Sequence, residues 1–494
     1  MRREVACFLL CLLAVSVSGG DNNTTEVAAK KDDTKDSSVI CSSCICDKDT
    51  NLLDCSERSF RDMLLAEDWT PLNKSFSVYV VHFTRNQLTK IPAFPELPIQ
   101  ELDFSHNEIN TIEKRAFKEL RNLVYLDLSN NRLDINSINP DVFEGHYDPD
   151  EYEPLNKLRT LKLDNNNIHA LKSENFEHLP HLRSLSLAGN PFQVIDSQSE
   201  MAITSIRYLE FLDLSRMELS GIPPHLLHTP RALKTLNITD NLLTQIPDAL
   251  VFAKNLENLY LDNNLIPSLG TNRTKFALMP NLQFLSLSSM PLLERVEAGA
   301  FSGLTGLKTL RMSENPKLYF IHGDAMSRQG AEDPSREEWP DLTHLYLHNN
   351  NLTTIDMMML ANWEHLEVLD IRHNPWLCDC SNQWMVDRLL GHLHGDTERL
   401  LEDVICEHPI EMRGTKMIDL ENTQLRCVDK YGHRPEHDGV ILMGMLIGIL
   451  VGIPISLMIV LIYRRGCFGL LAPRGPADYS RAFYKRAGQD DMYY

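Results

Sequence analysis

The chain has 494 residues and a formal net charge of -20 at pH 7. This excess of negative charge argues against nucleic acid as a partner and against docking flat on anionic lipid, because both are themselves negatively charged. A chain of this length can bury a large hydrophobic core.

The N-terminus carries the pattern of a secretory signal. Two arginines precede the apolar run 5–17, and small residues follow at Ser16 and Ser18. The run is too short to span a bilayer comfortably, so residues 1–20 are predicted to be a signal peptide. A secreted chain folds in an oxidising compartment, in which its cysteines pair as disulfides.

Residues 21–40 are polar and charged, and we expect them to be a disordered arm. Asparagines that open an Asn-x-Ser/Thr sequence are predicted to carry N-linked glycans and to lie on the surface. Two of them are in this arm and four follow it: Asn22, Asn23, Asn73, Asn237, Asn272 and Asn351.

A repeated template organises the residues from 76 to 374. In Leu123–Leu133 apolar residues stand at relative positions 1, 4, 6 and 11, and Asn131 stands at position 9. About twelve copies follow one another, most of them 21 to 27 residues apart. This spacing matches leucine-rich repeats. The residues at position 9 are Asn86, Asn107, Asn131, Asn166, Asn190, Met217, Asn241, Asn264, Met290, Asn315, Asn350 and Asn374.

The spacing predicts the geometry of each repeat. Positions 4 and 6 alternate with polar residues, which indicates a short strand with one face inward. Stacked repeats then form a parallel sheet on the concave side of a solenoid. The position-9 amide is predicted to satisfy backbone groups of neighbouring turns. Met217 and Met290 lack that amide, so we expect a water molecule or a local bend there.

Two intervals are longer than the others. Asn131 is 35 residues from Asn166, and Asn315 is 35 residues from Asn350. The additional residues are polar, with segments 147–154 and 329–338 at their centres. Insertions in solenoids are predicted to leave the surface as loops. They are either binding loops or tolerated insertions. The spacing of the acidic residues in the first insertion does not match that of a calcium-binding loop.

Cysteines cluster at both ends of the repeats, where disulfides are expected. A zinc site is the alternative at the N-terminal end, but it lacks a histidine at ligand spacing. The cysteines are Cys41, Cys44, Cys46 and Cys55, then Cys378, Cys380, Cys406 and Cys427.

Both clusters resemble the caps of extracellular leucine-rich repeat proteins, including Asn-Pro-Trp and Cys-x-Cys at 374–380. The resemblance implies an N-terminal cap at 41–75 and a C-terminal cap at 375–427. It also implies the pairs Cys41–Cys46, Cys44–Cys55, Cys378–Cys406 and Cys380–Cys427.

The concave face is the predicted binding surface, because such solenoids usually meet partners there. Exposed aromatics beside acids favour a protein partner, although they could simply cover neighbouring strands. A glycan on Asn237 would divide the face, so binding is predicted on its flanks. The ligand candidates are Tyr125, Phe211, Tyr260, Phe284 and Tyr346.

Residues 440–463 are uncharged and long enough to cross a bilayer, after a short linker at 428–439. Arg464 and Arg465 follow, which predicts a single-pass protein with its N-terminus outside. Small residues recur every four positions and predict helix dimerisation, although glycine is common in such helices anyway. They are Gly444, Gly448, Gly452 and Ser456.

The tail at 464–494 is too short for a catalytic domain, and Cys467 beside the membrane is a candidate for palmitoylation. The sequence shows no nucleophile motif, metal cluster or phosphate loop, so neither an enzyme nor a cofactor is expected. His344 and His348 would lie roughly 13 Å apart on a strand, too far for one metal ion.

The predicted fold is therefore an α/β solenoid, a leucine-rich repeat horseshoe with disulfide caps and one transmembrane helix. The resemblance implies a plasma-membrane receptor or adhesion protein that recognises an extracellular or cell-surface protein. The alternative is an innate-immune type co-receptor that acts through a signalling partner. A version without the tail that keeps its function would favour adhesion or co-reception.

Overall fold

The computed structural model describes residues 39–69, 77–148, 151–330, 337–361, 365–390, 396–427 and 435–464. The predicted signal peptide, most of the polar arm and nearly all of the tail lie outside these ranges. So do the sequons at Asn22, Asn23 and Asn73, and Cys467.

One sheet of fourteen short strands runs through the repeats. Its strands are β1 (Ile45–Asp47), β2 (Leu52–Asp54), β3 (Val80–His82), β4 (Glu101–Asp103), β5 (Tyr125–Asp127), β6 (Thr160–Lys162), β7 (Ser184–Ser186), β8 (Phe211–Asp213), β9 (Thr235–Asn237), β10 (Asn258–Tyr260), β11 (Phe284–Ser286), β12 (Thr309–Arg311), β13 (His344–Tyr346) and β14 (Val368–Asp370). The pair β1–β2 is antiparallel, and every later pair is parallel. The predicted solenoid with a parallel sheet is confirmed.

The register places the central residue of each strand beside that of the next. Leu126, for example, lies opposite Leu102 and Leu161. From β2 to β14 every central side chain is fully buried. Burying one leucine side chain contributes about 1.5–3 kcal/mol, so this column is the main source of stability.

Outside the sheet, the repeats return through turns, 3-10 turns and, in one repeat, helix α1 (Ser197–Thr204). Asp196 caps α1 by accepting a hydrogen bond from the backbone N–H of Ser199. A second sheet joins Ser268–Leu269, Arg295–Val296 and Phe320–Ile321, and Lys90–Ile91 pairs with Thr111–Ile112.

The position-9 asparagines form a ladder along the spine. The Oδ1 atom of Asn131 accepts from the backbone N–H of Ile109 at 3.0 Å, and its Nδ2 donates to the Phe104 carbonyl at 3.0 Å. The amide thus joins two neighbouring repeats, as predicted. At Met290 the sulphur accepts from the backbone N–H of Asn264 at 3.3 Å, a contact that was not predicted from the sequence. The expectation of a water molecule or a bend at Met217 and Met290 stays a prediction.

The residue before each ladder position is left-handed in all twelve repeats, with φ between 49° and 69°. At Gly189 an added Cβ would lie 2.2 Å from Oδ1 of Asn165, so any other residue there would displace that side chain. The residues are Arg85, His106, Asn130, Asn165, Gly189, Arg216, Asp240, Asn263, Ser289, Glu314, Asn349 and His373.

Both ends of the column carry disulfides. The bonded pairs are Cys41–Cys46, Cys44–Cys55, Cys378–Cys406 and Cys380–Cys427, which are the pairs that the resemblance implies. At the C-terminal end Trp376–Leu377 pairs with Cys406–His408, and helix α2 (Asp396–Leu401) packs against β14. The caps thereby cover apolar surface that the last repeats would expose.

Helix α3 spans Pro435–Arg464. Its segment Gly439–Arg464 is long and apolar enough to cross a membrane, judged by length and composition, and none of it is buried against the rest of the protein. The predicted stripe from Gly444 to Ser456 lies on this helix, and the three glycines have no atom within 4 Å of an ideal Cβ.

Candidate functional site: the concave face of the sheet

The concave face consists of the first and third residues of strands β3–β14, together with position 7 of each repeat. Because the central residue points inward, the residues on either side of it point out of the sheet. The first residue of all twelve strands is half-buried. A continuous row of accessible side chains therefore runs the length of the solenoid.

All five aromatic candidates lie on this face and are half-buried. Tyr260 and Phe284 are brought together, with ring centroids 5.0 Å apart. Tyr125 and Phe211 lie in one row but three strands apart, so they are separated by about 14 Å. Tyr346 lies further along, beside Arg311. The five aromatics therefore do not form one cluster. We call the part of the face before Asn237, with Tyr125 and Phe211, its N-terminal half, and the part after Asn237, with Tyr260, Phe284 and Tyr346, its C-terminal half.

The N-terminal half contains a compact group around Asp127. The carboxylate accepts from the Tyr125 hydroxyl at 2.9 Å and lies 3.3 Å from the Lys162 ammonium. Burial and the Asp127 charge raise the pKa of Tyr125. Partial burial alone would lower the pKa of Lys162, but its bonds to Tyr125 and Asp127 raise it overall. Lys162 therefore remains charged, and Asp127 balances its charge.

Two half-buried aspartates, Asp164 and Asp262, each contact a serine hydroxyl and a backbone N–H of the next repeat. Asp164 accepts from the Ser186 hydroxyl and from the backbone N–H of Ala188 at 3.0 Å. Asp262 accepts from the Ser286 hydroxyl at 2.5 Å and from the backbone N–H of Ser288 at 2.6 Å. Burial raises the pKa of both carboxyls. The hydrogen bonds of both carboxylates join neighbouring repeats.

The C-terminal half presents a cation against an aromatic ring. Arg311 and Tyr346 are direct partners in the register of β12 and β13. The guanidinium carbon of Arg311 lies 5.1 Å from the centroid of the Tyr346 ring. His344 and Tyr346 also stack, with centroids 6.5 Å apart. This arrangement combines the residue types that dominate binding energy at protein interfaces.

The last strand carries a separate ionic group. Arg372 donates to both oxygens of Asp370, at 2.9 and 2.8 Å, and His348 Nδ1 lies 3.0 Å from the same carboxylate. Burial alone would raise the pKa of Asp370, but Arg372 and His348 lower it overall. Arg372 also reaches Asp403 of the C-terminal cap at 3.8 Å. This group therefore ties the cap to the last repeat.

Asn237 lies between the two halves and is half-buried. Its Nδ2 atom, to which a glycan would be attached, donates to Asp213 at 2.9 Å. Asn272 and Asn351 are exposed. Glycosylation at these positions stays a prediction.

The first insertion has more structure than the predicted loop. Its strands His146–Asp148 and Glu151–Glu153 form an antiparallel hairpin. His146 lies 3.2 Å from Glu119, and Arg121 lies 3.3 Å from Glu153. These contacts border a groove of about 640 Å³ with balanced charge. The second insertion also forms a hairpin, Arg328–Gln329 with Glu337–Glu338.

Short stacked strands, an asparagine ladder and disulfide-bonded ends define a solenoid of the kind built from leucine-rich units. The family model described as leucine rich repeat matches residues 77–133, 98–145, 156–211 and 207–266, and a second model with the same description matches 341–363. In these segments the chain matches the leucine-rich repeat family.

Three curated relatives show how far the similarity extends. Podocan-like protein 1 of Mus musculus is 31% identical over 249 residues, which cover 50% of this chain and 41% of the relative. Keratocan of Gallus gallus is 30% identical over 37% of this chain and 48% of its own length. Leucine-rich repeat transmembrane protein FLRT2 of Mus musculus is 24% identical over 53% of this chain and 36% of its own length. The chain thus spans less than half the length of each.

Among solved structures, the chain is similar to one in the structure of the Toll–Spatzle complex, which is described as a molecular hub in Drosophila development and innate immunity. The TM-score is 0.46 at 20% identity, and the match covers 75% of this chain and 57% of that chain.

Proposed function

We propose that this protein is a single-pass cell-surface receptor or adhesion protein, without catalytic activity of its own, that binds a protein ligand through its concave face. The observation that carries the proposal is the unbroken row of half-buried first-position side chains along β3–β14, which includes Tyr125, Phe211 and Phe284, with tyrosine and arginine also among the third positions beside it. Tyrosine and arginine are among the residue types that supply most of the binding energy in protein interfaces.

Three further features support a position outside the cell. The disulfides at both ends require an oxidising compartment. Helix α3 could cross the plasma membrane, and Arg464 at its end favours a cytoplasmic C-terminus. One relative, FLRT2, is named a transmembrane protein.

The topology is tested with the full chain on intact cells. One epitope tag follows the signal peptide and a second one follows Tyr494. We expect antibodies to reach the first tag on unbroken cells and the second only after permeabilisation. Staining of the C-terminal tag on intact cells would contradict the proposed orientation.

The binding face is tested with a glycan placed on either half. Ser184→Asn and Phe284→Asn each create an Asn-Leu-Ser sequon on a first strand position, in β7 and β11. Cells that display the full chain are screened with a panel of soluble ectodomains, including its own. For a protein that binds the wild-type chain, we expect one of these glycans to abolish binding.

The matched controls are Ser184→Gln and Phe284→Gln, which place a similar side chain at each position without creating a sequon. Binding that is lost in Ser184→Asn and kept in Ser184→Gln places the ligand on the N-terminal half of the face. Phe284 is itself a ligand candidate, so Phe284→Gln reports the loss of its ring, and a further loss of binding in Phe284→Asn reports the glycan and places the ligand on the C-terminal half. A ligand that binds both glycosylated variants as well as the wild type contradicts the concave-face proposal.

A further inference from the structure

Arg311 differs from the other lysines and arginines on the concave face. Lys162 lies 3.3 Å from Asp127, and Arg372 lies 2.8 Å from Asp370. Among the described residues Arg311 has no carboxylate within 4.0 Å, and it is exposed where its neighbours in the row are half-buried or buried. Of the described lysines and arginines on this face, Arg311 is therefore the one that lacks a contacting acid.

The nearest acid does not neutralise Arg311 by contact. Asp262 stands at position 7 of its repeat and is half-buried, and its Oδ1 atom accepts from Ser286 and Ser288. Arg311 lowers the pKa of Asp262, but burial outweighs that effect and the net shift is upward. Asp262 thus belongs to the contact between two repeats, and the guanidinium is left facing the solvent.

Aromatic rings lie on both sides of Arg311 along the face. In the row of third positions the register runs Tyr260, Ser286, Arg311, Tyr346. Ser286 is small and buried, so Tyr260 and Arg311 flank a low point between them. Phe284 packs on Tyr260, and the Tyr346 ring supports the guanidinium from the other side. The patch spans four strands, or about 14 Å.

The cation–π contact with Tyr346 holds the guanidinium carbon of Arg311 5.1 Å from the ring centroid. A guanidinium carries its N–H donors around its planar edge, so this contact leaves donors available for a carboxylate. The partner that matches such a fork is a carboxylate, which accepts two parallel hydrogen bonds. The flanking rings favour an apolar or aromatic side chain next to that carboxylate.

We propose that Tyr260, Phe284, Arg311 and Tyr346 form the docking site for an extended protein segment that presents an aspartate or glutamate beside an aromatic or aliphatic side chain. The proposal rests on the proposed receptor function and names the chemistry of its ligand. It also assigns the contact to the C-terminal half of the face, on one side of Asn237.

The probe is a displayed library of random twelve-residue peptides, panned against the full chain in lipid nanodiscs. Peptides selected on the wild-type chain are then bound to Arg311→Glu and Arg311→Gln. The matched control is Arg216→Glu, which makes the same charge change at an exposed arginine outside the patch. Thermal melting confirms that each variant is folded.

We expect the selected peptides to be enriched in an acidic residue next to an aromatic or aliphatic one. Arg311→Glu and Arg311→Gln should weaken them about tenfold or more, as at an interface hot spot, while Arg216→Glu leaves them unchanged. Peptides rich in lysine or arginine, or binding that is insensitive to Arg311, would overturn the inference.

Failure of the docking site can be distinguished from failure of the proposed receptor function. A protein ligand that is blocked by Ser184→Asn and still binds Arg311→Glu overturns the docking site at Arg311 and leaves the receptor proposal standing. A protein ligand that is insensitive to both glycan variants overturns the concave face itself.

Discussion

The backbone N–H of Asn264 lies 3.3 Å from the thioether sulphur of Met290, one repeat further along the chain. Elsewhere in the ladder, the Oδ1 atom of an asparagine accepts a hydrogen bond from such a backbone N–H. The Oδ1 atom of Asn350, for example, accepts from the backbone N–H of Asn315 at 2.8 Å. The sulphur of methionine is a weaker acceptor but fills the same position. A spine built on amides can therefore include an apolar residue without leaving that donor unpaired.

We expect Met290→Leu to destabilise the repeats more than Met217→Leu does. Both methionines are fully buried, and a methionine-to-leucine exchange preserves volume and usually costs less than about 1.5 kcal/mol. Only the Met290 sulphur accepts a hydrogen bond among the described residues, so its loss adds about 1 kcal/mol for an unpaired buried N–H.

Hydrogen exchange followed by mass spectrometry measures this difference. The amide of Asn264 should exchange faster in Met290→Leu than in the wild type and be unaffected in Met217→Leu. Equal protection of Asn264 in both variants would show that the sulphur contact contributes nothing.

The second prediction concerns the stability cost of the left-handed backbone before each ladder position. Arg216 has φ 55° and is exposed, and arginine is strained in that region. Asparagine tolerates it, so Arg216→Asn should stabilise the protein by roughly 0.5–1 kcal/mol. The melting temperature of the full chain measures the gain.

The control replaces an asparagine at a corresponding position with a residue that disfavours positive φ. Asn130 has φ 54° in the corresponding position, and Asn130→Val places a β-branched side chain there. It should lower the melting temperature, because such residues are outliers at positive φ. A loss of stability in Arg216→Asn would contradict the explanation by backbone strain.

Most of the fold could be predicted from the sequence because each repeat carries the same local signal. Leucines at positions 4 and 6 determine which face is buried, and copies of Leu126 and its neighbours recur often enough to establish the period. The left-handed residue was missed, although Asn130, Asn165 and Asn349 precede ladder asparagines. Asparagine and glycine favour this conformation, but Arg216 and Glu314 occupy it without any such signal.

The candidate site was less predictable, because contacts between repeats depend on register. The sequence placed Tyr260, Phe284 and Tyr346 on the concave face. It could not show that Arg311 lies on Tyr346 or that Asp127 balances Lys162, since those pairs are about 35 residues apart in sequence. It also could not distinguish Asp164, which joins two repeats, from an acid that faces a ligand.

Two aspartates on the sheet should respond to pH in opposite ways. Burial raises the pKa of Asp164 above its usual 3.8, so its ionisation destabilises the fold as the pH rises above 3.8, and this effect is complete once the pH exceeds the folded pKa. Arg372 and His348 outweigh burial and lower the pKa of Asp370 below 3.8, so its ionised form stabilises the fold. That contribution is complete above pH 3.8 and is lost as the pH falls through the folded pKa.

At pH 7 we therefore expect Asp164→Asn to raise the melting temperature and Asp370→Asn to lower it. Asparagine at 164 retains an acceptor for Ser186 and Ala188, whereas at 370 it removes the charge that Arg372 and His348 contact. Melting curves between pH 3 and pH 8 measure both effects. The two variants should approach the wild type as the pH falls toward 3, and shifts of the same sign at pH 7 would contradict the assignment.

Helix α3 supplies the last prediction, which concerns self-association in the membrane. Gly444, Gly448 and Gly452 recur every four residues and therefore share one face of the helix. Small residues on one face let two membrane helices approach closely.

We expect Gly448→Leu with Gly452→Leu to abolish energy transfer between fluorescently labelled copies of the full chain. Leu446→Phe with Leu450→Phe adds bulk to the opposite face and should leave it unchanged. Energy transfer that survives the glycine changes would place any dimer contact elsewhere on the chain.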